Sequence, residues 1–182
     1  MLLSITGFTR QTPPLSQQEK DGILYMREEE KLARDVYDLL FIKWGGRPFV
    51  NIRQSEQYHM DRMKTLITTY KLEDPVVNTN DRHGIFRNDS LQKYYNELIR
   101  TGSLSFTDAL KTGARIEEQD IADLEKRMKQ TQKQDITAVY DYLKMASGNH
   151  LRAFVRRLKM QGIPYEPVIL SKGDFDKIMG GA

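Results

Sequence analysis

The chain has 182 residues, of which 39% are hydrophobic and 29% are charged, a composition that fits one globular domain rather than a disordered chain. It contains no Cys, which excludes disulfide scaffolds, Cys-based zinc sites, iron–sulfur clusters and thiol nucleophiles. The formal net charge of +3 is too small to indicate nucleic-acid binding by itself. No apolar run is long enough for a membrane span, and the first residues lack a basic signal-peptide region. We therefore expect a soluble, cytoplasmic protein without membrane or nucleic-acid partners.

Helical periodicity and helix-end signals predict an all-α chain with four long helices and one short helix. A capping box formed by Ser16 and Glu19 starts the first helix, because each residue can bond the other's backbone amide. Gly45 and Gly46 end that helix. The predicted helices are helix A (17–43), helix B (52–71), a short helix (90–100), helix C (105–130) and helix D (136–161).

Single residues also predict two helix caps and a possible helix break. Asn51 and Asp135 are the expected N-caps of helices B and D. Gly113 is a candidate for a kink or a break in helix C. The predicted domain covers residues 16–165, between an irregular lead (1–15) and a tail (166–182).

The lengths of the connections predict how the helices are arranged. The A–B and C–D links are short, so the helices of each pair should be antiparallel neighbours. The B–C link, roughly 72–104, is long enough to cross the length of the helices and contains the short extra helix. Two antiparallel hairpins joined by one long crossover are the ferritin-like arrangement of the four-helix bundle.

Each long helix carries an apolar stripe with steps of three and four residues, and an ionisable residue interrupts every stripe. A carboxylate in a dry core is costly unless it is paired or bound to a metal. The same cost applies to a buried, charged imidazole. The interrupting residues are Glu30 on helix A, Glu56 and His59 on helix B, Glu117 on helix C, and His150 on helix D.

This set of side chains indicates a metal site. The Glu56-x-x-His59 spacing places both side chains on one face of helix B. Such a motif, with a Glu from other helices of a bundle, is typical of di-iron carboxylate proteins. Carboxylates and imidazoles without thiolates suit iron or manganese better than a structural zinc ion.

Each residue alone also has a simpler interpretation. Glu30 lies in the run Glu28–Lys31, and such a run is usually a solvated face with Glu–Lys pairs. A lone His150 is more often a core histidine with satisfied hydrogen bonds. Glu117 lies near the start of a helical segment, where the helix dipole favours acids. The coincidence on all four helices favours the metal site.

Four sequence motifs support a resemblance to a known family. Together they resemble the ferritin-like "domain of unknown function 2202" family of archaea and bacteria, over about residues 15–165, and more distantly rubrerythrins and bacterioferritins. The motifs are Arg27–Tyr37, Ser55–Met60, Ile116–Ile121 and Ser147–Phe154.

The resemblance implies a set of metal ligands. The motif positions of these families match Glu30, Glu56, His59, Glu117, Asp120 and His150, with Tyr37 seven residues after the first Glu. Helix D departs from the pattern, because Ser147 stands where the di-iron families carry a Glu. Asp120 could compensate for that missing carboxylate, the second metal could bind weakly, or the site could hold a single metal. Glu118 is the alternative if the helix C face is shifted by one residue.

Three functions remain open from the sequence. The leading hypothesis is a di-iron site that reacts with peroxide or oxygen, as in a rubrerythrin-like oxidoreductase or peroxidase. Because the chain has no Cys, its electron donor would have to be a separate molecule. The second is non-catalytic iron binding or storage, which requires a homo-oligomer. The third is a helical interaction module with a degenerate metal site.

Overall fold

The computed structural model describes residues 14–180 of the chain. In this part the chain is helical and has no strand, which confirms the all-α prediction. None of the described helices is long and apolar enough to cross a membrane. Residues 1–13 of the predicted lead and the last two residues of the predicted tail lie outside the described residues. The helices are α1 (Gln17–Trp44), α2 (Phe49–Thr69), α3 (Pro75–Asn78), α4 (Asp89–Gly102), α5 (Phe106–Met128), α6 (Gln134–Lys159) and α7 (Lys172–Ile178).

The predicted helix ends are partly confirmed. The capping box exists: Ser16 Oγ accepts the Glu19 amide at 3.2 Å, and Glu19 Oε2 accepts the Ser16 amide at 2.7 Å. The predicted caps Asn51 and Asp135 are wrong, because α2 and α6 begin earlier and both residues lie in the first helical turn.

The two pairs of long helices are antiparallel. On α1 and α2, Arg34 Nη1 donates to Gln57 Oε1 at 2.8 Å, and farther along α1 Asp38 pairs with Arg53 from earlier in α2. On α5 and α6, Ser147 contacts Asp120, and farther along α5 Glu125 pairs with Lys144 from earlier in α6. α4 packs against both α1 and α5.

Contacts between the α1–α2 pair and the α5–α6 pair show how the crossover, the segment that connects α2 to α5, must run. Tyr37 of α1 contacts Glu117 of α5, and Tyr25 contacts Asp123, so α1 and α5 are antiparallel. α2 and α5 therefore run in the same direction. The segment from residue 70 to residue 105, which contains α3 and α4, must return the chain from one end of the helices to the other.

The apolar core has two parts, separated along α1, α2 and α6 by the ionisable residues of the stripes. One cluster contains Tyr37, Phe49 and Phe154. The other contains Met26 and Met63. The polar side chains are therefore enclosed at both ends by packed apolar side chains, which exclude water from them.

Gly113 does not break its helix, because α5 runs through it without interruption. The ring of Phe154 packs directly against its backbone, and a Cβ at position 113 would lie 2.3 Å from Phe154 Cε1. This Gly therefore permits a close approach between α5 and α6.

The simpler interpretation of the run Glu28–Lys31 as a solvated face is wrong, because all four residues are buried. The crossover covers this side of α1. Arg27 pairs with Asp74 at 3.1 Å, and Arg34 pairs with Asp81 at 2.6 Å. Two arginines of α1 are thus paired with acids of the crossover.

The tail is fixed to α5 by a buried carboxylate. Glu118 accepts the Tyr165 hydroxyl at 2.6 Å and the backbone N–H groups of residues 168–170. Beyond these residues the tail forms α7, which the sequence does not predict, and Phe175 of α7 enters the core.

Candidate metal centre

Five of the six predicted ligands come together between the four long helices. They form two groups that share one residue: Glu30, Glu56 and His59, and then Glu56, Glu117 and His150. In each group, the three ligand-type atoms lie within 4.8 Å of one another. Each group could hold one metal ion.

The first group is built around the Nδ1 atom of His59. This nitrogen lies 2.8 Å from Glu56 Oε2 and 3.2 Å from Glu30 Oε2. On the other side of the ring, Nε2 lies 3.3 Å from Ser55 Oγ. The imidazole is therefore held by its outer nitrogen, and its inner nitrogen faces the carboxylates.

The second group is built around the Nδ1 atom of His150. It lies 2.9 Å from Glu56 Oε1 and 3.4 Å from Glu117 Oε2. The rings of His59 and His150 are stacked, with their centroids 5.5 Å apart. One oxygen of Glu56 thus faces each histidine, so this carboxylate belongs to both groups.

One of these oxygens, Glu30 Oε1, is buried and makes no hydrogen bond within the described part of the chain. Glu56 Oε1 and His150 Nδ1 are also buried, and they face each other at 2.9 Å without the geometry of a hydrogen bond. Buried polar atoms are nearly always satisfied by protein, water or an ion. The oxygen and nitrogen atoms of this site therefore fit a hard or borderline cation.

The carboxylates and imidazoles shift one another's pKa values. Burial raises the pKa of Glu30 to about 7. Burial alone would raise the pKa of Glu56, but His59 and His150 outweigh it and lower the pKa. Burial alone would lower the pKa of both histidines, but the neighbouring carboxylates raise it to about 12 for His59 and about 10 for His150. A cation at the site has to displace these protons.

Tyr37 both packs in the core and contacts a candidate ligand. Its ring packs against Phe49 and Phe154. Its hydroxyl donates to Glu117 Oε1 at 2.5 Å and fixes the orientation of that carboxylate.

Asp120 lies beside the two groups without belonging to either. Its Oδ2 accepts a hydrogen bond of 2.5 Å from Ser147, and its buried Oδ1 has no hydrogen bond within residues 14–180. Burial and then the charges of Glu30 and Glu29 raise the pKa of Asp120 well above its usual value. The alternative ligand, Glu118, instead binds the tail.

The sequence analysis missed a second set of buried acids next to the site. Glu29 is buried, and neither of its carboxylate oxygens makes a hydrogen bond to the described residues. Burial and then the charge of Asp123 raise the pKa of Glu29 well above its usual value. The sequence contains one indication of these further acids. Asp120 and Asp123 have an i, i+3 spacing, which places both on one face of α5.

Comparison with known proteins gives consistent matches over nearly the whole chain. The model of the uncharacterized protein domain DUF2202 matches residues 19–182. The uncharacterized protein MJ0754 of Methanocaldococcus jannaschii is 46% identical over 182 residues, which cover 100% of this chain and 96% of the relative. The crystal structure of the hypothetical protein MJ0754 matches with a TM-score of 0.90 at 47% identity, covering 94% of this chain and 97% of that one. The chain therefore belongs to the DUF2202 family.

Proposed function

We propose that the protein is a ferritin-like four-helix bundle that binds two metal ions, with iron as the preferred metal. The observation that carries this proposal is the position of Glu56, whose two oxygens face different histidines. The connectivity supports it, because two antiparallel hairpins joined by a lengthwise crossover are the arrangement of ferritin-like proteins.

In this proposal the two groups have equivalent roles. Glu30 and His59 would hold one ion, and Glu117 and His150 would hold the other. Glu56 would be a ligand shared by both groups. Asp120 adds negative charge next to them and stands in for the carboxylate that is missing from α6.

The donor set limits the choice of metal and of chemistry. Carboxylate oxygens and imidazole nitrogens without a thiolate favour iron, with manganese as the alternative. A pair of iron ions supplies one-electron redox changes for reaction with peroxide or oxygen. The protein residues orient the carboxylates, exclude water and hold protons at the histidines. A rubrerythrin-like oxidoreductase with a separate electron donor fits this chemistry, and a cytoplasmic location stays a prediction.

One observation favours a competing function. His59 and His150 lie close enough to Glu56 and Glu117 for the charges to be paired without a metal. A helical interaction module with an internally paired polar core would have the same contacts. Metal binding distinguishes the two proposals.

The test is anaerobic titration with ferrous iron, with stoichiometry read by calorimetry and by metal analysis after desalting. We expect the wild-type chain to bind two ions. Glu30→Gln and Glu117→Gln should each leave one ion, and Glu56→Gln should weaken both sites. Glu166→Gln, which changes an exposed carboxylate far from the groups in sequence, is the control. A wild-type chain that binds no iron would overturn the proposal in favour of the interaction module.

A further inference from the structure

A series of aromatic rings leads from the candidate metal centre to the surface between α2 and α6. The ring of Tyr142 meets the ring of His59 edge to face, with the centroids 6.1 Å apart. Tyr58 meets Tyr142 in the same way at 5.8 Å. Tyr142 is partly buried and Tyr58 is 48% exposed. The three rings therefore connect a buried histidine to solvent without a gap.

Arg62 determines the form in which these phenols could be oxidised. Its guanidinium lies 5.1 Å from the centroid of Tyr142 and 5.8 Å from that of Tyr58. A positive charge over the rings opposes a radical cation, so a phenol that loses an electron must also lose its proton. Tyr58 can release that proton to water because it is exposed.

Tyr37 is the competing electron source, because its hydroxyl contacts Glu117 directly. Its aromatic neighbours are Phe49 and Phe154, whose rings are much harder to oxidise than a phenol. An oxidised Tyr37 would therefore be isolated in the core. The series through Tyr142 reaches the surface.

We propose that Tyr142 and Tyr58 carry oxidising equivalents out of the metal centre when it lacks a second reducing electron. This inference rests on the proposed iron site. The situation arises when a chain holding a single ferrous ion meets hydrogen peroxide.

Reduction of hydrogen peroxide to two waters breaks the O–O bond and consumes two electrons and two protons. The ferrous ion gives one electron and becomes ferric. A tyrosine gives the other electron together with its phenolic proton, and solvent supplies the second proton. The product is a neutral phenoxyl radical, which reaches Tyr58 when that residue passes an electron and a proton to oxidised Tyr142.

The surface position of Tyr58 gives this path a stable product. Two Tyr58 radicals on separate molecules can couple through ring carbons to form dityrosine. In each ring, the hydrogen displaced from the new C–C bond returns to the phenolic oxygen. The coupling needs no further oxidant, and it leaves a covalent dimer.

The experiment uses the full chain loaded anaerobically with one ferrous ion and treated with one equivalent of hydrogen peroxide. Rapid freezing and electron paramagnetic resonance detect the radical, while dityrosine fluorescence and peptide mass spectrometry locate the cross-link. We expect wild-type protein to form dimers linked at Tyr58. Tyr142→Phe should reduce the dimer yield at least tenfold, and Tyr58→Phe should keep a radical but abolish the dimer. Tyr70→Phe, at the far end of α2, is the control and should behave like wild type.

Two results would overturn the inference. One is an undiminished dimer yield in Tyr142→Phe. The other is iron-loaded wild-type protein that gives neither a radical nor a dimer. Loss of the dimer in Tyr37→Phe but not in Tyr142→Phe would transfer the path to Tyr37. Iron content is measured in the same samples, so failure to bind iron, which overturns both proposals, is distinguished from failure of the path alone.

Discussion

Ser147 on α6 donates a hydrogen bond of 2.5 Å to Oδ2 of Asp120 on α5. The sequence resemblance leads one to expect a Glu at position 147, and the structure instead has a hydroxyl bonded to an acid from the facing helix. A carboxyl group is therefore present beside the candidate metal centre, but a different helix supplies it.

We expect the acid and the hydroxyl to be exchangeable. Asp120→Asn should lower the affinity for ferrous iron about tenfold, because a carboxylate that supports the ligands is lost. Ser147→Glu alone should destabilise the metal-free protein by about 1–3 kcal/mol, because two buried carboxylates then meet. Combining Asp120→Ser with Ser147→Glu should restore both properties. Anaerobic titration and thermal unfolding measure them, and unchanged affinity in Asp120→Asn would show that Asp120 only packs.

Glu29→Gln should stabilise the metal-free protein near neutral pH by about 1–3 kcal/mol, because an unpaired buried carboxylate is replaced by a neutral amide. Burial and the charge of Asp123 hold the folded-state pKa of Glu29 well above its usual value, so the native state holds this proton more tightly than the unfolded state. The contribution of this protonated carboxyl group to the free energy of unfolding is complete below about pH 4.5 and is lost as pH rises toward the folded-state pKa. Glu29→Gln should therefore flatten the decline of stability with pH.

Urea unfolding in the presence of a chelator, repeated between about pH 4 and pH 8, measures this effect. The control is Glu166→Gln on the exposed surface. Equal pH profiles for Glu29→Gln and wild type would contradict the assignment of Glu29 as an unpaired buried acid.

Two mid-helix glycines should respond in opposite ways to the same substitution. Gly113→Ala should destabilise the protein by about 1–3 kcal/mol, because the new Cβ would overlap the Phe154 ring. Gly148→Ala should stabilise it by about 0.5–1 kcal/mol, since the nearest side-chain atom lies 3.8 Å away and Ala is the better helix former. Thermal unfolding of both variants tests the pair. A neutral Gly113→Ala would show that Phe154 can move aside.

Tyr37→Phe should separate the packing of this ring from the action of its hydroxyl. The ring should still fill its place against Phe154, while Glu117 loses its 2.5 Å hydrogen bond. We expect iron affinity to fall about tenfold at the site of His150, with the site of His59 unaffected. Stepwise ferrous titration resolves the two sites, and an equal loss at both would indicate a general change in packing instead.

The stripe residues could be predicted from sequence because the candidate ligands lie on the same helix faces as the core residues. Glu30, Glu56 and His150 occupy positions that would otherwise hold leucine, and helical spacing alone identifies such positions. The short links impose antiparallel pairing, and this pairing places the candidate ligands at the same height along the helices.

The burial of Glu29 and Lys31 could not be predicted in that way. On sequence grounds the run looks solvated, and the segment that covers α1 has no regular periodicity. Lys31 donates to Asp35 on its own helix and to the backbone carbonyl of Arg82, 51 residues later. Only tertiary structure brings that carbonyl to α1. α7 was missed for a similar reason, since its place depends on packing of Phe175.

The ion pairs between α1 and the crossover indicate when the crossover docks as a newly synthesised chain folds. Arg27 and Arg34 each have an acidic partner 47 residues later, so a nascent chain that has made only α1 and α2 lacks these two ion pairs. The crossover must then strip water from both partners as it docks. We expect this step to come late and to reverse most easily. Amide hydrogens donated to Glu28 by Arg87 and Asn88 should then exchange with solvent before those of α1 itself.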